Sequence, residues 1–205
     1  ICWAAPTSGG GFIEDFAGFA KSTNGGVSWT VTENAYDMNG IRANTFNGWN
    51  FRVNGFPRIA VDKSGGPRNG WIYIVASEVN LAPAGSDADV VLHRSTDGGT
   101  TWSPGIRVNQ DALNNGKVQF FPAIRVDEGG NVNICYYDNR NYPSVGDSCE
   151  TYMSQSSNGG TTWTDVSPDT TVNSNATNNY SGLSLINGKI IFLGSSSKKM
   201  FKSTD

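Results

Sequence analysis

Ser95-Thr96-Asp97-Gly98-Gly99-Thr100-Thr101-Trp102 is the stretch whose reading decides the fold, because it recurs. Ser22-Thr23-Asn24-Gly25-Gly26-Val27-Ser28-Trp29 comes before it, and Ser156-Ser157-Asn158-Gly159-Gly160-Thr161-Thr162-Trp163 comes after it. Ser203-Thr204-Asp205 matches the opening of a fourth copy. A turn copied at intervals means that one supersecondary unit is being copied. Its local chemistry is legible. A short Asp or Asn side chain accepts hydrogen bonds from backbone N–H groups just downstream, which folds the chain on itself. The glycines supply positive φ without steric cost. The Trp opens the next strand and offers a large ring for packing beneath the turn. Turn chemistry accounts for Asn24, Asp97 and Asn158 without a catalytic or metal role.

The turn is one part of a larger unit. Phe56-Pro57-Arg58-Ile59-Ala60-Val61-Asp62 returns 65 residues later as Phe121-Pro122-Ala123-Ile124-Arg125-Val126-Asp127. The spacings from Trp29 to Trp102 and on to Trp163 are 73 and 61 residues, so fixed strands alternate with variable loops. A Gly-rich turn follows each Val-Asp, then an apolar strand, Trp71–Ala76 and Val132–Tyr137. A third strand, Val90–Arg94 or Thr151–Gln155, leads into the recurring turn, and a fourth leaves it from the Trp. These runs are β-branched and aromatic, as strands are. They are continuous rather than alternating, which suits sheets covered on both faces. The sequence therefore predicts an all-β chain of units A-B-C-D, each an antiparallel sheet of four strands.

Ile1-Cys2-Trp3 aligns with Ile134-Cys135-Tyr136, so the chain opens within a strand B. Leu183–Leu185, Lys189–Leu193 and Lys198–Lys202 read as strands A, B and C of a last unit. The expected division of the single domain is 1–55 (B-C-D and a crossover), 56–120, 121–179 and 180–205 (A-B-C). The two ends do not complement each other into one ring, so a piece of a longer protein is expected.

The pattern S/T-x-D-x-G-x-T-W is the Asp-box, or BNR repeat. The central copy matches at each defined position, while Asn24 and Asn158 replace Asp in the outer copies. The chain resembles the Asp-box propellers, of which sialidases are the best-known members. The resemblance implies an incomplete β-propeller, with two full blades and two partial ones, and a secreted or cell-surface setting.

Composition fits and excludes. The chain has 25 Gly, 16% charged residues and a net charge of −3. No basic stripe is present for nucleic acid, and no apolar run is long enough to span a membrane as a helix. No signal peptide is visible, and no cofactor motif or Cys/His metal cluster stands out. Cys135 and Cys149 sit on neighbouring strands of one unit, where a disulfide is one reading; Cys2 reads as a small buried hydrophobe. Asn175-Ala176-Thr177 and Asn179-Tyr180-Ser181 fit the glycosylation acceptor pattern.

Topology places the A–B turns and the Asp-boxes at one end, and the B–C loops and D–A crossovers at the other. The second end holds the longer polar and aromatic loops, where binding residues concentrate. Its candidates are Arg42, Trp49 and Arg52 in the first crossover, Arg58 on strand A, Asp87 in the first B–C loop, and Asp138, Arg140 and Tyr142 around the second. Rings for apolar sugar faces, with polar groups for hydroxyls, suit a glycan or glycoprotein partner. Trp49 and Phe46 equally suit a small core that holds the crossover in place.

Sialidases, as the resemblance implies, hold a substrate carboxylate with three arginines and use a Tyr–Glu pair with an Asp acid/base. Their first arginine lies in a Phe/Tyr-Arg-Ile-Pro motif. Here the order is Phe56-Pro57-Arg58-Ile59, and Ala123 replaces Arg58 in the second copy. Tyr136 and Tyr137 end a strand B. His93, the single histidine, reads as a strand residue. The expectation is a glycan-recognition or scaffold module. The alternatives are an exo-sialidase or related hydrolase, and a structural part of an extracellular assembly. The remaining blades, or another chain, would complete the ring.

Overall fold

The computed structural model describes residues 1–7, 13–42, 53–142 and 149–167, with the backbone of three further strands at 180–186, 189–194 and 200–202. Trp49, Arg52, Phe46 and both glycosylation-type asparagines, Asn175 and Asn179, lie outside the described residues. The strands are β1 (Cys2–Ala5), β2 (Phe16–Lys21), β3 (Thr30–Asp37), β4 (Arg58–Val61), β5 (Ile72–Glu78), β6 (Asp89–Ser95) and β7 (Ile106–Arg107). They continue as β8 (Gln119–Val126), β9 (Val132–Asp138), β10 (Glu150–Ser156), β11 (Thr164–Asp165), β12 (Tyr180–Ile186), β13 (Lys189–Gly194) and β14 (Met200–Lys202). Four antiparallel sheets result, each pairing strands in chain order: β1-β2-β3, β4-β5-β6-β7, β8-β9-β10-β11 and β12-β13-β14. The described residues contain no helix, hence none long and apolar enough to cross a membrane.

Each recurring turn joins two strands through the bonds its sequence implies. Ser95 Oγ donates to Asp97 Oδ1 at 2.8 Å and accepts the Gly99 N–H at 2.8 Å. Asp97 Oδ1 accepts the N–H groups of Thr100 and Thr101 at 3.0 and 2.9 Å, and Oδ2 accepts the Thr101 hydroxyl at 2.5 Å. In the outer copies the last bond reverses. Asn24 Nδ2 donates to Ser28 Oγ at 2.8 Å, and Asn158 Nδ2 donates to Thr162 Oγ1 at 2.7 Å. The second glycine of each pair is left-handed, with φ of 91° at Gly26, 90° at Gly99 and 88° at Gly160. Such a backbone favours a residue without a Cβ.

The sheets stack face to face. Tyr73, Val75, Val90 and Leu92 of the second sheet form one core with Ile124, Val132, Ile134 and Tyr136 of the third. Phe19 of the first sheet joins Ile72 and Ile74 of the second. β5 is buried at every position, which explains its unbroken apolar run. The recurring turns lock the stack. Trp102 meets Phe19 edge-on at 5.4 Å, and Trp163 packs against the core that holds Leu92. The glycines make the approach close. A Cβ added at Gly99 would lie 2.2 Å from the Phe19 ring, and one at Gly160 would lie 2.4 Å from Leu92 Cδ2. The second and third turns thus rest on the sheet before their own.

The repeated Phe-Pro elements match in backbone detail. Phe56 and Phe121 are both left-handed, with φ of 49° and 53°, and their rings meet edge to face at 5.0 Å. The fourth strands of the second and third sheets are shorter than expected, at two residues each. In the second sheet β7 starts at Ile106 rather than at Trp102, since Pro104 lacks the N–H a ladder needs.

The disulfide reading is corrected. Cys2, Cys135 and Cys149 are all free. Register is the reason: Met153 stands opposite Cys135. Cys149 lies four residues along from Met153, about 13 Å at the usual strand rise, and bridged Cα atoms must lie within about 7 Å.

Candidate functional site

At the end opposite the Asp-boxes, strand ends of the second and third sheets bring polar side chains together. Asp89 opens β6, Arg107 ends β7, Gln119 opens β8 and Asp138 ends β9. Asp89 and Asp138 are buried. Asp89 Oδ1 accepts Arg107 Nε at 2.5 Å and Asn109 Nδ2 at 2.7 Å. Arg107 Nη2 donates to Asp111 Oδ1 at 3.0 Å. Asn109 Nδ2 also reaches Asp111 Oδ1 at 2.8 Å and Gln119 Oε1 at 2.9 Å, while its Oδ1 accepts the Val90 N–H at 2.9 Å. Gln119 Nε2 donates to Asp138 Oδ1 at 3.1 Å. A continuous buried network therefore runs from Asp89 to Asp138. Its members satisfy one another, as buried polar groups must.

Arg140 carries the network to the surface. Its Nε and Nη2 both donate to Asp138 Oδ2, at 2.8 and 2.6 Å, and its N–H donates to Oδ1 at 2.7 Å. Burial pushes the Asp138 carboxyl up, and the Arg140 hydrogen bonds oppose it. Burial also works against the Arg140 cation, but the bonds and charge of Asp138 outweigh it and hold the guanidinium above its usual range. The two tendencies conflict for Asp138. With a guanidinium that stays protonated and three donors on the carboxylate, the ion pair is the state the geometry supports.

Beyond the pair lies a shelf. The Arg140 guanidinium sits 4.1 Å from the centre of the Tyr152 ring, within cation–π range. Asn141 Nδ2 donates to Tyr152 Oη at 2.8 Å and to Glu150 Oε2 at 2.6 Å. Lys117 Nζ donates to the Tyr142 carbonyl. Burial pushes the Tyr152 hydroxyl up to about 12, so it stays protonated near neutrality.

The structure brings four of the sequence candidates to this end: Asp138, Arg140, Tyr142 and Asp87. Asp87 Oδ2 accepts the Gly116 N–H at 2.6 Å, which ties the first B–C loop to the crossover before β8. Two others sit apart. Arg58, exposed at the start of β4, lies 5.4 Å from the Phe56 ring. Arg42 bonds through its backbone to Glu14 and adds its charge nearby. Sequence reading missed Asp89, Asn109, Asp111 and Gln119. The available signal was a charged or amide residue at the end of an apolar strand, repeated in neighbouring units. Only register shows that these ends converge.

The chemistry of the cluster is specific. Asp89, Asp111 and Asp138 set three negative charges against the two of Arg107 and Arg140. Both guanidiniums are already engaged by carboxylates, so a ligand carboxylate would meet neutralised cations. Hydroxyl groups suit the exposed Asn141 and the half-buried Glu150 better, with the buried Tyr152 hydroxyl behind them. No group of three or more His, Cys, Asp or Glu among the described residues is placed to hold a metal ion.

His93 is buried between the first and second sheets, not in this cluster. Its Nδ1 lies 3.0 Å from the Ser103 carbonyl, which can only accept, so Nδ1 carries a proton. Its Nε2 lies 3.4 Å from Glu78 Oε1, and the Tyr36 ring stacks on it at 4.0 Å.

No protein-family model and no curated protein matches this sequence. Solved structures do. One is a protein of unknown function from Dyadobacter fermentans DSM 18053, with TM-score 0.52 and 16% identity over 86% of this chain and 43% of that one. Another is the polysaccharide lyase Uly1, with TM-score 0.46 and 13% identity over 88% of this chain and 43% of that one. The chain therefore spans less than half the length of either structure. At such identity the first likeness concerns the fold alone: this is an all-β chain of stacked antiparallel sheets.

Proposed function

We propose that this chain is a run of Asp-box β-propeller blades from a secreted or cell-surface protein, and that its loop end recognises glycans. The blade reading is supported by the stacking. First strands of successive sheets, β4, β8 and β12, approach one another, as strands nearest a central axis do. On this reading the blades divide at 56, 121 and 180.

One observation carries the recognition reading: the shelf of Arg140, Tyr152, Asn141 and Glu150, braced from below by the Asp89–Asp138 network. It offers donors and acceptors fixed on the ends of strands and backed by the buried Tyr152 ring, where little ordering is needed on binding. Neutralised arginines favour neutral sugars over carboxylate-bearing ones. A glycan array probed with this chain, followed by calorimetry on the best ligand, is the test. Glu150→Ala and Asn141→Ala weaken binding at least tenfold while thermal stability is kept. The reading fails if the array is blank, or if both variants bind as the parent does.

A further inference from the structure

Asn-Gly is the dipeptide in which an asparagine side chain is most open to attack by its own backbone, because glycine puts no Cβ in the way of the following nitrogen. Six such pairs lie among the described residues, beginning at Asn24, Asn39, Asn54, Asn69, Asn115 and Asn158. Five are held away from reaction. The Asn24 and Asn158 carboxamides accept N–H groups three or four residues downstream, as the Asp-box turn requires. Asn39 Nδ2 donates to the Val79 carbonyl at 2.6 Å, and Asn69 Oδ1 accepts the Gly65 N–H at 3.1 Å. The N–H groups of Gly40 and Gly70 go to the backbone carbonyls of Glu14 and Asp62, which are too weakly basic to take a proton. Gly55 gives its N–H to Glu14 Oε2, but Gly55 is buried and no hydrogen bond reaches Asn54 Oδ1 among the described residues.

Asn115 differs at each point. It stands exposed in the crossover between β7 and β8. Its Oδ1 accepts the Lys117 N–H at 2.8 Å. That bond folds the carboxamide over the Gly116 peptide and aims a donor at the oxygen where charge develops on attack. The Gly116 N–H points at Asp87 Oδ2, 2.6 Å away. Nucleophile, base and oxyanion donor are thus assembled before any reaction. We propose that Asn115 is a self-modification site, converting to aspartate and isoaspartate through a succinimide with Asp87 as the base. Asp87 takes the Gly116 N–H proton, and the nitrogen bonds to Asn115 Cγ. The Cγ–Nδ2 bond then breaks, and Nδ2 leaves as ammonia with the returned proton. Water opens the ring at either carbonyl, giving aspartate or isoaspartate. The product sets a carboxylate where Asn115 Nδ2 had donated to Asp111 Oδ2 at 2.7 Å. Like charge then faces the residue that holds Arg107, so the change reaches the outer end of the buried network.

Peptide mapping by mass spectrometry during storage at neutral pH tests it, with isoaspartyl methyltransferase to read the rearranged product. In the folded protein Asn115 converts first, about tenfold or more ahead of the other five pairs, because its reacting groups are already in place. In urea the six rates draw together, since only the fold distinguishes them. Asp87→Asn keeps an acceptor for the Gly116 N–H but removes the base, and it slows Asn115 about a hundredfold, the low end of what a positioned base contributes. The rate that remains climbs in proportion to hydroxide, whereas the parent rate depends on pH more weakly. Circular dichroism shows whether the variant is folded, and the comparison of folded protein with urea needs no variant. An Asn115 rate in the folded protein no greater than that of the other pairs overturns the proposal. So does a folded Asp87→Asn chain with the parent's rate and pH profile.

Discussion

Three glycines with nearly the same φ allow the contact between sheets to be measured apart from backbone strain. Gly160→Ala places a Cβ on a backbone at φ 88° and 2.4 Å from Leu92 Cδ2. The left-handed conformation costs about 1–2 kcal/mol once a side chain is present. The overlap forces Leu92 to shift in a packed core, which adds about 1–3 kcal/mol. The sum is about 2–5 kcal/mol. Gly26→Ala meets the same strain, at φ 91°, but its nearest neighbour is 3.8 Å away. Only the first cost applies there, about 1–2 kcal/mol. Urea unfolding followed by Trp fluorescence gives both values, provided the slope is unchanged. In a chain of this size each kcal/mol lowers Tm by about 2–4 °C. Equal costs at the two positions, or a larger one at Gly26, would refute the claim that the turn's second glycine exists to let sheets meet.

The other predictions concern charge and protons. Hydrogen bonds from the Thr101 hydroxyl and N–H and from Ser95 hold the Asp97 carboxyl well below the usual carboxylate range. Its contribution to stability is thus present above about pH 4, the ordinary aspartate value, and is lost as pH falls. Asp97→Asn, which copies the Asn24 and Asn158 turns, leaves the urea midpoint at neutral pH unchanged and makes acid unfolding less steep. An unchanged acid limb would contradict this. Burial pushes the thiols of Cys135 and Cys149 up to about 12 and about 11. Their contribution is complete below about pH 8.5, the free thiol value, and is lost as pH rises through the folded values. Native protein at pH 8 therefore reacts with Ellman's reagent at these two positions far more slowly than unfolded protein, and peptide mapping without reductant shows no Cys135–Cys149 bridge.

The turns were legible because their chemistry is local. Ser95, Asp97 and Gly99 need only one another, and the sequence places them within five residues. The unbroken apolar run of β5 likewise announced a strand covered on both faces. Features that depend on register were not legible. Cys135 and Cys149 looked like partners until pairing put Met153 opposite Cys135. Asp89, Asn109, Asp111 and Gln119 read as ordinary strand-end residues, because the hydrogen bonds that unite them join residues up to 20 apart in sequence. Arg58 drew notice through a permuted motif, yet its guanidinium lies over the Phe56 ring, whereas Arg140 is held by Asp138.

The docking pair has a consequence for how such chains grow. Within one unit the receiving residue and the delivering Trp lie ten positions apart, Phe19 with Trp29 and Leu92 with Trp102. Both halves of the contact between neighbours are therefore written in one short run of sequence. A duplicated gene segment carrying that run would arrive already able to dock on its own parent. Loops elsewhere in the unit are then free to lengthen or shorten, as the unequal 73- and 61-residue spacings show. Selection on those loops can explore new ligands without renegotiating how one copy holds the next.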